Sequence, residues 1–335
     1  MGPIRVLHVG LGPIGAAVVK QVARHAACTV AGVVDLDPAK VGKDAGEFAG
    51  LRRLGVKVSD DLRGTIQAVK PDIAVVSTSS SLKDTLPTLE ILLKAKIPVV
   101  STTEELVYPS AANAALAKRL DASARRSRVA VLGTGVNPGF VMDALPIALT
   151  AVCESVTSVH VDRVQDARIR RGPFQRKIGA GLSPEEFAVA VKEGRVRHVG
   201  LTASVSMIAE ALGWKLDRIT DEIHPKIAAA AVAGGEVPVA AGQVAGLVQD
   251  GVGYRKGKPL ITLHMEAYLG APESYDAIRI AGSPPLSMKF EGGVHGDVAT
   301  ASIIVNSIPK VIAAAPGLRT MRDLPLPSLF NRLGR

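Results

Sequence analysis

Two adjacent carboxylates, Glu104 and Glu105, follow a short apolar run at Pro98 to Ser101. Neighbouring residues on a turn point in different directions, so at most one of the pair faces a reacting group. A carboxylate shielded from water on one side acquires a raised pKa and can serve as a general acid/base. The competing reading is that Glu104 and Glu105 cap the helix after Pro109, or simply face water. Two further loops carry groups of the same kind. One is the hydroxyl run Ser77, Thr78, Ser79, Ser80 and Ser81; the other is the glycine-rich Gly133 to Asp143 stretch, in which Asn137 and Pro138 precede Gly139 and Phe140.

A fourth loop indicates what these groups would act beside. Gly10, Gly12 and Gly15, with Leu11, Pro13 and Ile14 between them, form G-x-G-x-x-G between a β-branched run (Ile4 to Val9) and a helical pattern (Ile14 to His25). The first glycine permits a tight turn and the second lets a pyrophosphate approach the backbone. The third lets the helix pack close to the strand, with its amides aimed at phosphate. Asp35 closes the next strand 20 residues after Gly15, where an acid can bind a ribose diol. This combination predicts a nicotinamide dinucleotide. Asp35 favours NAD(H) by repelling a 2′-phosphate, whereas Lys40 and Lys43 lie where they could reach one, so the expectation is NAD(P)H with a lean to NAD. The Ser77, Thr78 and Ser79 run then passes under the nicotinamide ribose or is a plain polar loop, and Asn137 could bond the carboxamide.

The elements that must position these loops alternate in type. Short apolar runs at Ile4 to Val9, Thr29 to Val34, Ile73 to Ser77, Pro98 to Ser101 and Val129 to Leu132 read as buried strands. Helical stretches separate them at Ile14 to His25, Leu86 to Ala95 and Ala111 to Arg125, and Lys40 to Gly50 reads as helix or loop. This is an α/β pattern, an N-terminal Rossmann doubly wound parallel sheet. Beyond Asn137 the pattern changes. Alternation at Ser155 to Gln165 suggests a strand with one exposed face. Helices are expected at Ser183 to Glu193 and Val205 to Leu212, then clustered strands near Gly242 to Asp250, Pro259 to Tyr268 and Tyr275 to Ala281. These predict an inserted α+β domain with a mixed sheet for substrate binding and dimerisation. A long Ala/Ile/Val helix at Val298 to Ala315 returns to the first domain. The expected division is 1–139 plus 298–335 for the dinucleotide and 140–297 for the substrate.

Composition bounds the alternatives. The chain has 335 residues, 47% hydrophobic and only 3% aromatic, with a net charge of +9. A pI near 9.6 and mean hydropathy of +0.25 accompany these values. So few rings make poor stacking platforms for nucleic acid, and neither Arg125 to Arg128 nor Arg168 to Lys177 matches a DNA-binding motif. No run of about 18 uncharged apolar residues is present, so no membrane span is expected. Glycines in the opening run and the continuing α/β pattern argue against a signal peptide, which leaves a cytoplasmic protein. Cys28 and Cys153 read as small core residues. The histidines at 8, 25, 160, 198, 224, 264 and 295 have no metal-ligand spacing, and no metal is expected. His295 lines the pocket or plays a structural part. Eight of the eleven aromatics lie between Phe140 and Phe290. Phe140, Phe174 and Trp214 are therefore the expected walls of an apolar pocket.

Taken together, the glycine loop, Ser101 to Leu106, the Gly133 to Asp143 loop, Arg170 to Phe174 and Gly292 to Asp297 resemble the 2,4-diaminopentanoate dehydrogenase and native amine dehydrogenase family. That family lies within the dihydrodipicolinate-reductase-like group. The resemblance runs over nearly the whole chain; its Glu-Glu and Asn-Pro-Gly-Phe loops are more specific than the glycine loop. It implies NAD(P)-dependent interconversion of an amine with a ketone or aldehyde plus ammonia, and a homodimer. It also implies a glutamate at the Glu104-Glu105 position as acid/base, with Glu104 preferred. True dihydrodipicolinate reductases carry a His-His pair and a Ser-Gly-Thr loop, and this chain has neither, which demotes that activity. Arg168, Arg170 and Arg171 could supply a carboxylate clamp. An imine or carbonyl reductase and a non-catalytic NAD-binding sensor are the alternatives.

Overall fold

Why the first 140 residues form a sheet covered on both faces is visible in a computed structural model, which describes residues 2–109 and 111–330. The strands are short and almost wholly aliphatic, which suits burial on both sides. In order they run β1 (Ile4–Val9), α1 (Pro13–Arg24), β2 (Cys28–Val34), α2 (Ala45–Phe48), β3 (Val58–Ser59) and α3 (Leu62–Val69). Then come β4 (Ile73–Val76), α4 (Leu82–Lys94), β5 (Val99–Ser101), α5 (Glu104–Val107), α6 (Ala114–Ser127) and β6 (Ala130–Gly133). The second unit contains α7 (Ala144–Leu149), β7 (Ser155–Asp166), α8 (Gly172–Lys177), α9 (Pro184–Lys192) and α10 (Leu201–Ala211). Its remaining strands are β8 (Arg218–Ile227), β9 (Val244–Arg255), β10 (Lys258–Tyr268), β11 (Tyr275–Ser283) and β12 (Leu286–Glu291). The chain then returns to the first unit with α11 (Gly296–Ile312) and β13 (Gly317–Arg319).

The first compact unit comprises residues 1–140 and 295–335, and the second 141–294. Phe140 thus ends the first segment, and His295 opens the returning one. Residues 1, 110 and 331–335 lie outside those described.

The first unit is a seven-stranded sheet in the order β13-β6-β5-β4-β1-β2-β3, and every pairing in it is parallel. Strand order reverses beside β1, between β2 and β4, which makes the carboxyl ends of β1 and β4 the switch point where such sheets bind ligands. Leu7, Val76, Leu82, Leu89, Val99 and Leu120 join in one buried core. α11 packs against α1, with Gln21 Nε2 donating to Ser302 Oγ at 3.1 Å. The edge strand β13 is tied to α6 where Leu318 N–H donates to Asp121 at 2.9 Å.

The second unit is a six-stranded mixed sheet ordered β12-β11-β7-β10-β9-β8, in which β7 and β10 are parallel and the other pairings antiparallel. Burial alternates along β9 and β10, so one face packs inward. The alternation expected through β7 holds only over its first residues. From Val159 to Gln165 every side chain except His160 is buried, so both faces of β7 are covered there, on a strand that lies between β11 and β10. Beneath it, Arg163 Nη1 meets Asp276 Oδ1 at 2.5 Å with both groups buried. The pair also holds the backbone of Val294: Arg163 Nη2 donates to its carbonyl, and its N–H donates to Asp276 Oδ2. Cys28 is buried as expected, whereas Cys153 is only half-buried. Among the described residues no helix is long and apolar enough to cross a membrane.

Candidate active site

The three glycines of the first loop do three different jobs. Gly10 has φ +92°, and a Cβ there would lie 2.5 Å from the Ser77 carbonyl, so the turn runs hard against the end of β4. A Cβ on Gly15 would lie 2.0 Å from the Gly10 carbonyl, which is the close helix–strand approach. A Cβ on Gly12 would meet nothing within 4 Å. Gly12 therefore guards open space in front of α1, whose first turn begins with Pro13 and has no side-chain cap. Uncapped amides at Ile14 and Gly15, facing room that a side chain would fill, fit an anionic pyrophosphate.

Asp35 reaches back to the same loop. Its Oδ2 accepts the Leu11 N–H at 2.5 Å and its Oδ1 the Asp37 N–H at 2.9 Å. Lys40 Nζ lies 3.3 Å from the carboxylate. Burial works against the charge, but the two amides and Lys40 outweigh it and hold the carboxyl below the usual carboxylate range. An ionised carboxylate at the end of β2 fits a ribose diol.

β4 and β5 deliver the next two loops side by side. Ser77 N–H donates to Val9 O at 2.8 Å, and the Ser77 hydroxyl oxygen is buried with no hydrogen-bond partner among the described residues. Thr78 is exposed, and Ser79 accepts from Ser81 N–H, the residue that caps α4. Beneath them lies a small hydroxyl network. Ser101 Oγ lies 3.1 Å from Val76 O and 3.0 Å from Thr103 Oγ1, and Thr103 Oγ1 donates to Ser79 O at 2.9 Å. Both residues are fully buried, so the turn that launches α5 is held at fixed height above the sheet.

That turn separates the two glutamates. Glu105 N–H donates to Ser80 O at 3.1 Å, and its Oε2 accepts the Leu82 N–H, the first amide of α4, at 2.9 Å. Glu105 therefore caps a helix, though it is α4 rather than the helix after Pro109. Glu104 opens α5 half-buried, at the carboxyl end of β5. The Gly133 to Phe140 loop adjoins it. A Cβ on Gly133 would lie 2.6 Å from the Leu106 backbone, and Thr134 N–H donates to Ser101 O. Asn137 and Pro138 are joined by a cis peptide, and Gly139 has φ +127°. Val136 N–H donates to Thr300 of α11, whose N-cap is the exposed His295.

The parallel sheet thus brings Gly10 to Gly15, Ser77 to Ser79, Glu104, Glu105, Asn137, Pro138 and Phe140 to the carboxyl ends of four adjacent strands, β6, β5, β4 and β1. Phe174 and Trp214 belong to the second unit and make no ring contact with each other among the described residues. The Arg170 guanidinium covers the Phe174 ring at 4.0 Å and donates to Gln165, while Arg168 pairs with Asp166. Two members of the expected arginine clamp are therefore engaged within their own unit. Among the described residues no group of three His, Cys, Asp or Glu side chains is placed to hold a metal.

Sequence reasoning passed over His8. Its ring is buried inside β1, with Nε2 2.8 Å from Gly10 O, and burial pushes its pKa down to about 4. The signal was a polar residue set between Leu7 and Val9, directly ahead of the glycine loop.

Comparison with known proteins shows the family to which this scaffold belongs. Residues 140–333 match the 2,4-diaminopentanoate dehydrogenase C-terminal domain, and residues 4–133 match the dihydrodipicolinate reductase N-terminus. The chain belongs to the 2,4-diaminopentanoate dehydrogenase family. It is 32% identical to the 2,4-diaminopentanoate dehydrogenase of Acetoanaerobium sticklandii over 98% of this chain and 95% of that one. An amine dehydrogenase of Streptomyces virginiae is 23% identical over 97% of both chains. The solved amine dehydrogenase of Mycobacterium smegmatis superposes with a TM-score of 0.84 at 26% identity, covering 98% of this chain and 97% of that one. The family resemblance is borne out, as is the α/β fold with its parallel and mixed sheets. The family member described here is an oxidoreductase on a nicotinamide-dinucleotide-binding dehydrogenase fold.

Proposed function

We propose that this family member is an amine dehydrogenase that interconverts a small amine with its ketone or aldehyde plus ammonia, with Glu104 as the acid/base. The observation that supports the choice of Glu104 is the engagement of its neighbour Glu105. Glu105 spends its carboxylate on the first amide of α4. Glu104 starts the next helix at the carboxyl end of β5, beside the loops that fit the cofactor. When bound, a nicotinamide dinucleotide supplies the hydride in amination and accepts it in deamination. The Glu104 carboxylate takes the proton that ammonium must lose to become a nucleophile, and returns it as water leaves. Its negative charge then stabilises the iminium carbon that receives the hydride. Asp35 and the α1 amides bind the dinucleotide and Asn137 orients its carboxamide. Phe140 and His295 line the substrate side of the parallel-sheet loops; Phe174 and Trp214 are the second unit's candidates.

Asp35 supports NAD over NADP, and Lys40, already paired with it, is the residue through which a 2′-phosphate would be tolerated. A homodimer in the cytoplasm is part of this reading; light scattering should return twice the 34.8 kDa of one chain. The deciding assay supplies purified protein with NADH or NADPH, excess ammonia and a panel of short ketones and aldehydes. Cofactor oxidation that requires ammonia is expected. Oxidation at the same rate without ammonia, or binding with no turnover on any member of the panel, would sink the proposal.

A further inference from the structure

A histidine in the middle of a buried parallel strand needs a reason. His8 is flanked in register by Val33 on β2 and Val75 on β4, and it is 1% exposed. Any β-branched aliphatic residue would satisfy that core. The ring instead makes one directed contact, from Nε2 to the Gly10 carbonyl at 2.8 Å. A carbonyl only accepts, so Nε2 carries the proton and Nδ1 is a bare acceptor. Nδ1 indeed has no partner among the described residues. The imidazole is thus a neutral ring used for one N–H.

What that N–H holds is one half of a peptide unit. In a trans peptide the C=O and the following N–H point in opposite directions. The Gly10 carbonyl turns inward to His8, so the Leu11 N–H turns outward, where Asp35 Oδ2 accepts it at 2.5 Å. The Gly10–Leu11 peptide is clamped at both ends. The same carbonyl is the atom that leaves no room for a Cβ on Gly15, and His8 Nε2 lies 2.8 Å from that Cβ position. One hydrogen bond from the strand therefore sets the turn, the seat of α1 and the approach of Asp35.

We propose that His8 is a positioning residue for dinucleotide binding, acting by orienting the Gly10–Leu11 peptide between itself and Asp35. The inference rests on the nicotinamide-dinucleotide reading of the glycine loop and adds a residue outside that motif. His8→Phe keeps the bulk and removes the donor; His8→Gln restores an N–H at the reach of Nε2. His8→Asn supplies one only at the reach of Nδ1. NADH binding to each protein is read by fluorescence titration, alongside its thermal midpoint. His8→Phe should bind NADH about tenfold more weakly than wild type, as expected for one lost orienting hydrogen bond, and His8→Gln should recover most of the loss. NADH affinity in folded His8→Phe within twofold of wild type would overturn the proposal. Should His8→Phe not fold, the amide pair decides: Gln tighter than Asn supports the clamp, and equal affinity overturns it. Wild type that binds neither NADH nor NADPH would remove the cofactor reading itself, and this inference with it.

Discussion

The two units solve the same problem, a precise arrangement on a β-sheet, with different materials. In the parallel unit the strands are mostly aliphatic and covered, His8 being the large buried polar exception, and the loops are set mainly by backbone groups. The tools there are glycines without a Cβ, uncapped amides, and small hydroxyls such as Ser101 and Thr103 bonded to carbonyls. In the mixed unit the sheet itself carries the polar groups. Arg163 and Asp276 are buried as an ion pair, and Gln249 spans His198 and Asp221 from the inward face. A site specified by backbone shape can be damaged without harming the fold. Polar groups buried among side chains cannot be removed so cheaply, because each leaves an unmatched partner behind.

That contrast can be tested at four places. The largest effect should come at the proposed acid/base. Glu104→Gln should lower kcat by about a thousandfold with an unchanged melting temperature. Glu105→Gln should instead cost about 1 kcal/mol of stability through the α4 cap, with activity within roughly tenfold of wild type. Steady-state rates with paired melting curves check both, and the reverse ranking would exchange the two roles. Next, Arg163→Met should destabilise by about 3–5 kcal/mol, since Asp276 is left buried and charged. Arg163→Met/Asp276→Leu should regain most of this in urea titrations; no recovery would mean the loss lies in packing, not charge.

The third test is acid lability. Burial lowers the His8 pKa from 6.5 to about 4. Above pH 6.5 the folded and unfolded rings are both neutral. As pH falls below 6.5 the unfolded chain takes up a proton that the folded one refuses, so stability drains until pH reaches about 4. The His8 share is about 3 kcal/mol. It should appear as the difference between wild type and His8→Phe in the pH dependence of unfolding, and parallel curves would disprove it. The smallest effect separates two glycines. Gly12→Ala should leave the melting temperature unchanged and weaken NADH binding by about tenfold, because its Cβ enters the open space that, on the proposed reading, takes the pyrophosphate. Gly15→Ala should lower stability first, its Cβ colliding with the Gly10 carbonyl. Equal melting losses in the two variants would erase the distinction.

How much of this was legible beforehand depended on range. The glycine loop and Asp35 are read from spacing alone, because strand, turn and helix there follow one another directly. β8 was missed: it is an edge strand whose exposed residues include Arg218, Asp221 and Glu222 and which contains Pro225, tolerated where one side of a strand is unpaired. β12, at the opposite edge, was missed as well. Glu105 looked interchangeable with Glu104, since the amide it caps lies 23 residues earlier in the chain and only the fold brings it close. His8 stands out by type within its strand, but that its ring serves the Gly10 carbonyl shows only once the turn is folded. Local periodicity reveals elements; it does not reveal which distant backbone group a side chain serves.

The insertion has a consequence for the chain as it is made. α11 presents Ala301, Ile304, Val305, Ile308 and Val311 as buried residues of the first unit and packs on α1. The ribosome produces α1 first and must then complete residues 141–294 before α11 exists. At ordinary elongation rates that delay is on the order of ten seconds. During it the nascent first unit has six of its seven strands but keeps an apolar helix face bare. The second unit can finish folding in the interval. It is the parallel-sheet unit, first to begin and last to close, that would draw chaperones while the protein is being synthesised.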